Sequence, residues 1–176
     1  MPRNEARREL DRLRHPIRLV VDRAKNPFNI GAIIRTAHSF LVREIVLVGT
    51  EPWYERAAMG MQRWENLVEL PDVPTLLERA KAGGWRLVAF EKDHATCGLW
   101  DADLPDDSTF VFGNEDDGVH PDILAAAHEV VAIPMYGINH SFPITVAAGI
   151  GMAEWARRRY AAGRVVTSGP PSRASP

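Results

Sequence analysis

The chain has 176 residues, with 21 Lys and Arg against 23 Asp and Glu and a formal net charge of -2 at pH 7. That length suits one domain with a real core, about 70% of its surface buried on folding. The near-balanced charge excludes a general polyanion binder, so any nucleic acid must be met by local basic patches. A single cysteine, Cys97, excludes an intrachain disulfide, while the charged start and the lack of a long apolar run read as neither secreted nor membrane-spanning. A cytoplasmic protein is the expectation.

Residues 1–15 read as a basic amino-terminal arm carrying Arg3, Arg7, Arg8, Arg12 and Arg14. Glu5, Glu9 and Asp11 stand three places before Arg8, Arg12 and Arg14, so part of this charge is paired along a helix. Leu10 and Leu13 give it a thin apolar face. It is either a solvated arm or one that grips RNA.

The domain proper spans 16–162. A first strand is expected over 17–22, then a loop over 23–29. A helix follows, with Pro27 near its start and Asn29 as its cap. Ile30, Ile33, Ile34, Ala37 and Leu41 form its apolar stripe, and Arg35 lies on the opposite side with Ala32, Thr36 and Ser39. A second strand covers 44–49. The mixed stretch 50–66, with Trp53 and Trp64, holds a short helix or ordered loop. A short strand over 67–70 and a helix over 74–82, stopped by Gly83-Gly84, come next.

A strand over 86–90 leads into a loop over 91–107. The strand over 109–113 is broken by Gly113-Asn-Glu-Asp-Asp-Gly118, and a helix follows over 121–128. The β-branched run 130–133 opens the loop 134–142, where Gly137 supplies freedom in φ. Pro143 then fits the first turn of a long helix. Ile144, Val146, Ala147, Ala148, Ile150, Met152, Ala153 and Trp155 point in nearly every direction, so this helix should be buried on more than one side, against the sheet and against a second subunit. It ends in Arg157-Arg158-Arg159. Residues 163–176, rich in Ser, Pro and Gly, read as a disordered tail.

Strands alternating with helices predict an α/β domain, a mostly parallel sheet with helices on both faces. Ligands of such sheets bind beyond the carboxyl ends of the strands. The loops at 90–91, 113–118 and 133–141 all lie there and should form one crevice.

Three segments resemble the SpoU (TrmH) branch of the SPOUT RNA methyltransferases. Asn26-Pro-Phe-Asn29-Ile-Gly-Ala-Ile-Ile-Arg35 is similar to the family's Asn-x-Gly-x-x-x-Arg segment. Phe112-Gly-Asn-Glu115-Asp-Asp-Gly118 is similar to its Phe-Gly-x-Glu-x-x-Gly segment. Ile133-Pro-Met135 through Ser141, with Val146-Ala-Ala148, is similar to its last segment. All three occur in order and at fitting spacing.

The resemblance implies a trefoil-knotted fold, against the rule that chains avoid knots. It implies S-adenosyl-L-methionine as methyl donor, a homodimer with a shared site, and methylation of a ribose 2′-hydroxyl in tRNA or rRNA. It also assigns Asn29, Arg35, Glu115 and Ser141 to catalysis, and Phe90, Gly113, Ile133, Met135 and Ser141 to the donor pocket. Arg35 would anchor phosphate, the geometry in which a guanidinium fork excels.

One position departs from the pattern. Pro143 stands where the family has an active-site Asn, leaving neither amide side chain nor N–H. Asn139 and His140 are the polar neighbours that could substitute. The alternative is therefore a catalytically impaired RNA-binding protein of the same fold. The histidines show no metal-ligand spacing with Cys97, so no metal site is expected. No Gly-x-Ser-x-Gly elbow, P-loop or dinucleotide fingerprint points to another enzyme class.

Overall fold

The computed structural model describes residues 3–163, with the side chain of Arg3 left aside. The expected tail, apart from Gly163, lies outside the described residues.

The strands are β1 (Arg18–Asp22), β2 (Glu44–Val48), β3 (Leu67–Leu70), β4 (Arg86–Phe90), β5 (Cys97–Gly98), β6 (Ser108–Phe112) and β7 (Glu129–Ala132). They form one sheet in the order β3-β2-β1-β6-β4-β7-β5. Every pairing is parallel. β6 is buried at every residue and β1 and β2 at all but the first, because a parallel sheet is covered on both faces. The two-residue β5 falls inside the stretch expected to be a plain loop; it is too short to carry a pattern.

The helices are α1 (Arg3–Leu13), α2 (Pro27–Ser39), α3 (Val73–Ala82), α4 (Pro121–Ala126) and α5 (Ile144–Ala161). Ile30, Ile33, Ile34 and Ala37 of α2 and Ala148, Met152 and Trp155 of α5 share a core with Leu19, Leu47, Phe110 and Phe112. Val73, Leu76 and Ala80 of α3 and Ile123 of α4 pack with Val20, Val46, Ala89 and Val111 on the other face. The stretch 50–66 supplies two 3-10 turns, Glu55–Ala58 and Met61–Arg63. The first lies so close to α2 that a Cβ on Gly31 would come within 2.6 Å of Ala57 Cβ.

The small residues of α5 have a packing reason. At Gly151 a Cβ would sit 2.7 Å from Phe90 Cζ, so only glycine lets the helix lie this close to the sheet. Within one chain, the buried residues of α5 are Ile144, Ala148, Gly151, Met152, Glu154, Trp155 and Arg159. Its other side carries Val146 at 43% and Tyr160 at 70% exposure. The expectation of burial on more than one side is thus met on one side by the sheet.

Two of the three arginines at the end of α5, Arg158 and Arg159, turn inward. Arg158 donates to the carbonyls of Leu99, Trp100 and Ala102 at 2.7, 3.1 and 2.6 Å, and Arg159 to that of Leu104 at 2.6 Å. They strap the chain between β5 and β6 across the helix. The arm is likewise docked. Arg7 reaches the carbonyls of Arg63 and Glu65 and the side chain of Asn66. Arg14 pairs with buried Glu65 at 2.8 Å and donates to Val42 and Trp64.

Candidate active site

Four loops meet beyond the carboxyl ends of the central strands. The tightest point is the turn after β6. A Cβ on Gly113 would fall 2.2 Å from the backbone of both Gly118 and Val119, so the chain doubles back where no side chain fits. Gly118 has φ +72, a conformation glycine adopts freely. Asn114 and Gly118 exchange backbone hydrogen bonds at 3.0 and 2.9 Å.

The buried side chain of Asn114 fastens this turn to its neighbours. Its Nδ2 donates to the Arg23 carbonyl at 2.8 Å, and its Oδ1 accepts from the N–H groups of Asp116 and Asp117 at 2.8 and 3.2 Å. Glu91, at the end of β4, accepts from the N–H groups of Val119 and Asp93, each at 3.2 Å. Asp22, fully buried at the end of β1, accepts from His120 N–H at 2.9 Å. None of the three was singled out from the sequence. Asn114 lies inside the glycine-bounded segment 113–118, but its role depends on the Arg23 carbonyl, which is 91 residues away.

Asn29 is not the cap of α2. Asn26 is, its side chain accepting from Phe28 N–H at 3.0 Å. Pro27, as the first helical residue, fixes that boundary. Asn29 is therefore in the first turn, and its Nδ2 donates to Glu115 Oε1 at 2.9 Å. Glu115 Oε2 accepts from Lys25 N–H at 3.1 Å. Burial raises the Glu115 pKa, but these hydrogen bonds outweigh it, and the net effect is a carboxyl below its ordinary range.

The cleft enclosed by these loops has a volume of about 650 Å³, within the usual range for a small-molecule site. Phe90, Gly113, Ile133, Met135 and Ser141 all line it, as do Asn29 and Glu115. Phe90 stacks on Phe112 with centroids 4.7 Å apart. The rim is acidic, with Glu91, Asp93, Asp116 and Asp117 beside Glu115. Arg35 is the one expected site residue outside this lining. It is exposed two turns along α2, and its side chain makes no hydrogen bond or ion pair among the described residues.

Pro143 is the N-cap of α5, one place before the expected first turn. Its carbonyl accepts from Val146 and Ala147 N–H at 2.9 and 3.0 Å. The ring lines the cleft without closing it. Asn139 is occupied in folding the loop: its Nδ2 donates to the Ser141 carbonyl at 3.0 Å, and its Oδ1 accepts from His140 N–H at 3.1 Å. His140 also lines the cleft. Among the described residues no group of His, Cys, Asp and Glu could hold a metal ion, and no helix is long and apolar enough to cross a membrane.

Comparison with known proteins gives the following. The model of the SpoU rRNA Methylase family matches residues 16–153. A tRNA/rRNA methyltransferase of Synechocystis, itself described as uncharacterised, is 31% identical over 82% of this chain and 54% of its own length. A 23S rRNA (guanosine-2′-O-)-methyltransferase of Neisseria meningitidis is 26% identical over 82% of this chain and 59% of its own. The chain thus spans little more than half the length of these relatives. It covers 87% of the tRNA (guanosine(18)-2′-O)-methyltransferase of Thermus thermophilus, to which it is 30% identical over 92% of its own length.

Among solved structures, the A. aeolicus TrmH/SpoU tRNA modifying enzyme superposes with a TM-score of 0.78 at 26% identity, over 92% of this chain and 86% of that one. The SpoU methyltransferase AviRb of Streptomyces viridochromogenes, solved in complex with AdoMet, superposes with a TM-score of 0.76 at 25% identity, over 86% and 65%.

Proposed function

The chain belongs to the SpoU rRNA Methylase family, and from that premise we propose that it is an RNA methyltransferase. It takes S-adenosyl-L-methionine as donor and methylates a ribose 2′-hydroxyl of tRNA or rRNA. It acts as a cytoplasmic homodimer of trefoil-knotted chains. Residues 16–162 form the catalytic domain, and the arm over 1–15 is an accessory to it. The observation that carries the reading is the convergence of Asn29, Glu115 and Ser141, drawn from three distant segments, on one cleft beside the apolar wall of Phe90, Ile133 and Met135.

The lining fits the donor. Adenine needs an apolar wall and close backbone approach, which Phe90, Ile133 and Met135 and the side-chain-free turn at Gly113 offer. A cationic ligand is favoured where Glu91, Asp93 and Glu115 surround it. When bound, S-adenosyl-L-methionine supplies an electrophilic methyl on a sulfonium.

The chain's own residues then have to align a hydroxyl in line with that methyl, and alignment alone is worth about 7–11 kcal/mol. Glu115 holds the Asn29 amide in a fixed orientation toward the ribose. The Arg35 guanidinium, outside the cleft of its own chain, anchors a phosphate at the site of the second copy. Forming the O–CH3 bond as the S–CH3 bond breaks would require the hydroxyl proton to leave, and the His140 imidazole at the cleft is the group of this chain that would accept it. Asn139 is spent on its loop, which leaves the His140 ring as the polar group able to act in the place the family gives to Asn.

A second reading, an RNA-binding protein of this fold with impaired catalysis, is favoured by one observation: the cleft wall at 143 is a proline ring. Calorimetric titration with S-adenosyl-L-methionine tests the first reading, which requires saturable binding. Single-turnover transfer to bulk tRNA and rRNA separates the two, since donor binding without transfer leaves only the second.

A further inference from the structure

RNA is a polyanion, and the cleft rim is acidic. Other surfaces that looked basic in sequence are largely committed. Arg7, Arg12 and Arg14 of the arm and Arg157, Arg158 and Arg159 of α5 all have partners within the chain. Cations converge instead at the opposite pole of the sheet. There Arg18, Arg43 and Arg79 line a cavity of about 450 Å³ with Trp85 and a single carboxylate, Glu44.

This cavity is built from strand starts and a helix end. Arg18 opens β1 and pairs in register with Glu44, the first residue of β2. Arg79 lies in the last turn of α3. Gly84, at φ +61, turns the chain after α3 so that buried Trp85 sits beneath. Glu44 holds Arg18 Nε at 2.8 Å and one terminal nitrogen of Arg79 at 3.0 Å. Both guanidiniums stand over the Trp85 ring, 4.8 and 5.5 Å from its centroid.

A guanidinium has five N–H donors in a rigid fork. Arg18 and Arg79 each use one on Glu44, and the Arg43 side chain makes no hydrogen bond among the described residues. The tryptophan and the carboxylate fix two forks in place, so little rotamer freedom is left to lose on binding. Three cations against one anion, with donors to spare, fit a phosphodiester.

We propose that this Arg18–Arg43–Arg79 pocket binds the phosphate backbone of the RNA substrate, at the end of the sheet away from the methyl-transfer cleft. The inference rests on the RNA methyltransferase reading above. The two sites are separated by the length of the central strands, about 13 Å for five residues. A folded RNA can touch both.

The test measures binding of bulk tRNA and rRNA by the whole chain as a function of salt. Each lost phosphate contact lowers the slope of log K against log salt by about 0.7–0.9. Arg43→Gln and Arg79→Gln should each weaken RNA binding several-fold and lower the slope by about that amount. The affinity for S-adenosyl-L-methionine should not change. Glu44→Gln keeps an amide oxygen to accept from the guanidiniums while Trp85 still packs beneath them, removes the one repelling charge and should tighten RNA binding, a gain that a purely structural ion pair would not give. A double variant with wild-type RNA affinity and slope overturns this inference alone. Wild-type protein that binds the donor but no RNA overturns it together with the RNA part of the reading. If millimolar inorganic phosphate protects these arginines from modification while the variants bind RNA as wild type does, the pocket is a small-anion site and the proposal is wrong.

Discussion

Asn29 and Glu115 lie 86 residues apart in the chain and meet at 2.9 Å, amide nitrogen to carboxylate oxygen. The contact joins the first turn of α2 to the glycine turn after β6, and the second carboxylate oxygen takes the Lys25 N–H. One side chain thus aligns another that faces the cleft. Glu115→Gln keeps the shape but loses the charge that both hydrogen bonds use. Hydrogen bonds to charged groups contribute about 1.5–3 kcal/mol, and at this exposed position the low end applies, so methyl transfer should slow roughly tenfold. Donor affinity, read by calorimetry, should move little. A variant as fast as wild type removes Glu115 from the mechanism.

Arg35 can be placed by complementation. Arg35→Ala alone and Glu115→Gln alone should each be impaired. If Arg35 serves the cleft of the other copy, a mixed dimer of the two variants contains one site with both residues intact. Equal mixing then restores about a quarter of wild-type activity, by the statistics of a two-fold dimer. No recovery on mixing assigns Arg35 to its own chain or to no catalytic role.

The exposed side of α5 tests the dimer itself. Val146 and Tyr160 are apolar and uncovered within one chain. Val146→Glu should shift the sedimenting mass from two chains to one and leave the circular dichroism of the fold unchanged. A wild-type chain that sediments as a monomer contradicts the homodimer.

Gly113 gives a packing test. Gly113→Ala places a methyl within 2.2 Å of backbone atoms that cannot swing aside. Overpacking of this kind costs about 1–3 kcal/mol in thermal stability, and the displaced turn should weaken donor binding. Gly137→Ala is the control, because its Cβ would meet nothing nearer than 4.0 Å.

The acid limb of stability should report Glu154. Hydrogen bonding from Arg157, opposed by burial and reinforced by Arg158, lowers its pKa from the ordinary 4.5 to about 2. A carboxyl depressed on folding adds stability that is complete above its unfolded pKa and is lost as pH falls through the folded one. Glu154→Gln should therefore cost roughly 1–3 kcal/mol at neutral pH. The gap to wild type should close between about pH 4.5 and pH 2, as followed by denaturant titration. A gap that stays constant over that window removes Glu154 from the acid response.

Much of the fold was legible because buried parallel strands are written as β-branched runs between turns, as in Leu19-Val20-Val21 or Ile45-Val46-Leu47-Val48. Boundaries were less so. Asn26 and Asn29 are equal as caps by residue type, and only the position of Pro27 separates them. Cys97-Gly98 is a strand because β7 has a free edge beside it, not because of its own residues. The donor-pocket residues could be named from motifs. The long-range hydrogen bonds of Asn114 to Arg23, Glu91 to Val119 and Asp22 to His120 could not, since those partners are set by the way the strands are ordered. The arginines of the arm and of α5 looked like surface charge, yet several turn inward because backbone carbonyls face them there.

The most direct measurement is single-turnover transfer from methyl-labelled S-adenosyl-L-methionine to bulk tRNA and rRNA, with the product RNA cleaved in alkali. A 2′-O-methyl group blocks cleavage of the adjoining phosphodiester, so the label should remain in alkali-resistant dinucleotides and should be lost with Arg35→Ala. Label released on a free mononucleotide would place the methyl on a base, and no label at all despite bound donor would leave a protein that holds both partners without joining them; either result contradicts ribose methylation by this cleft.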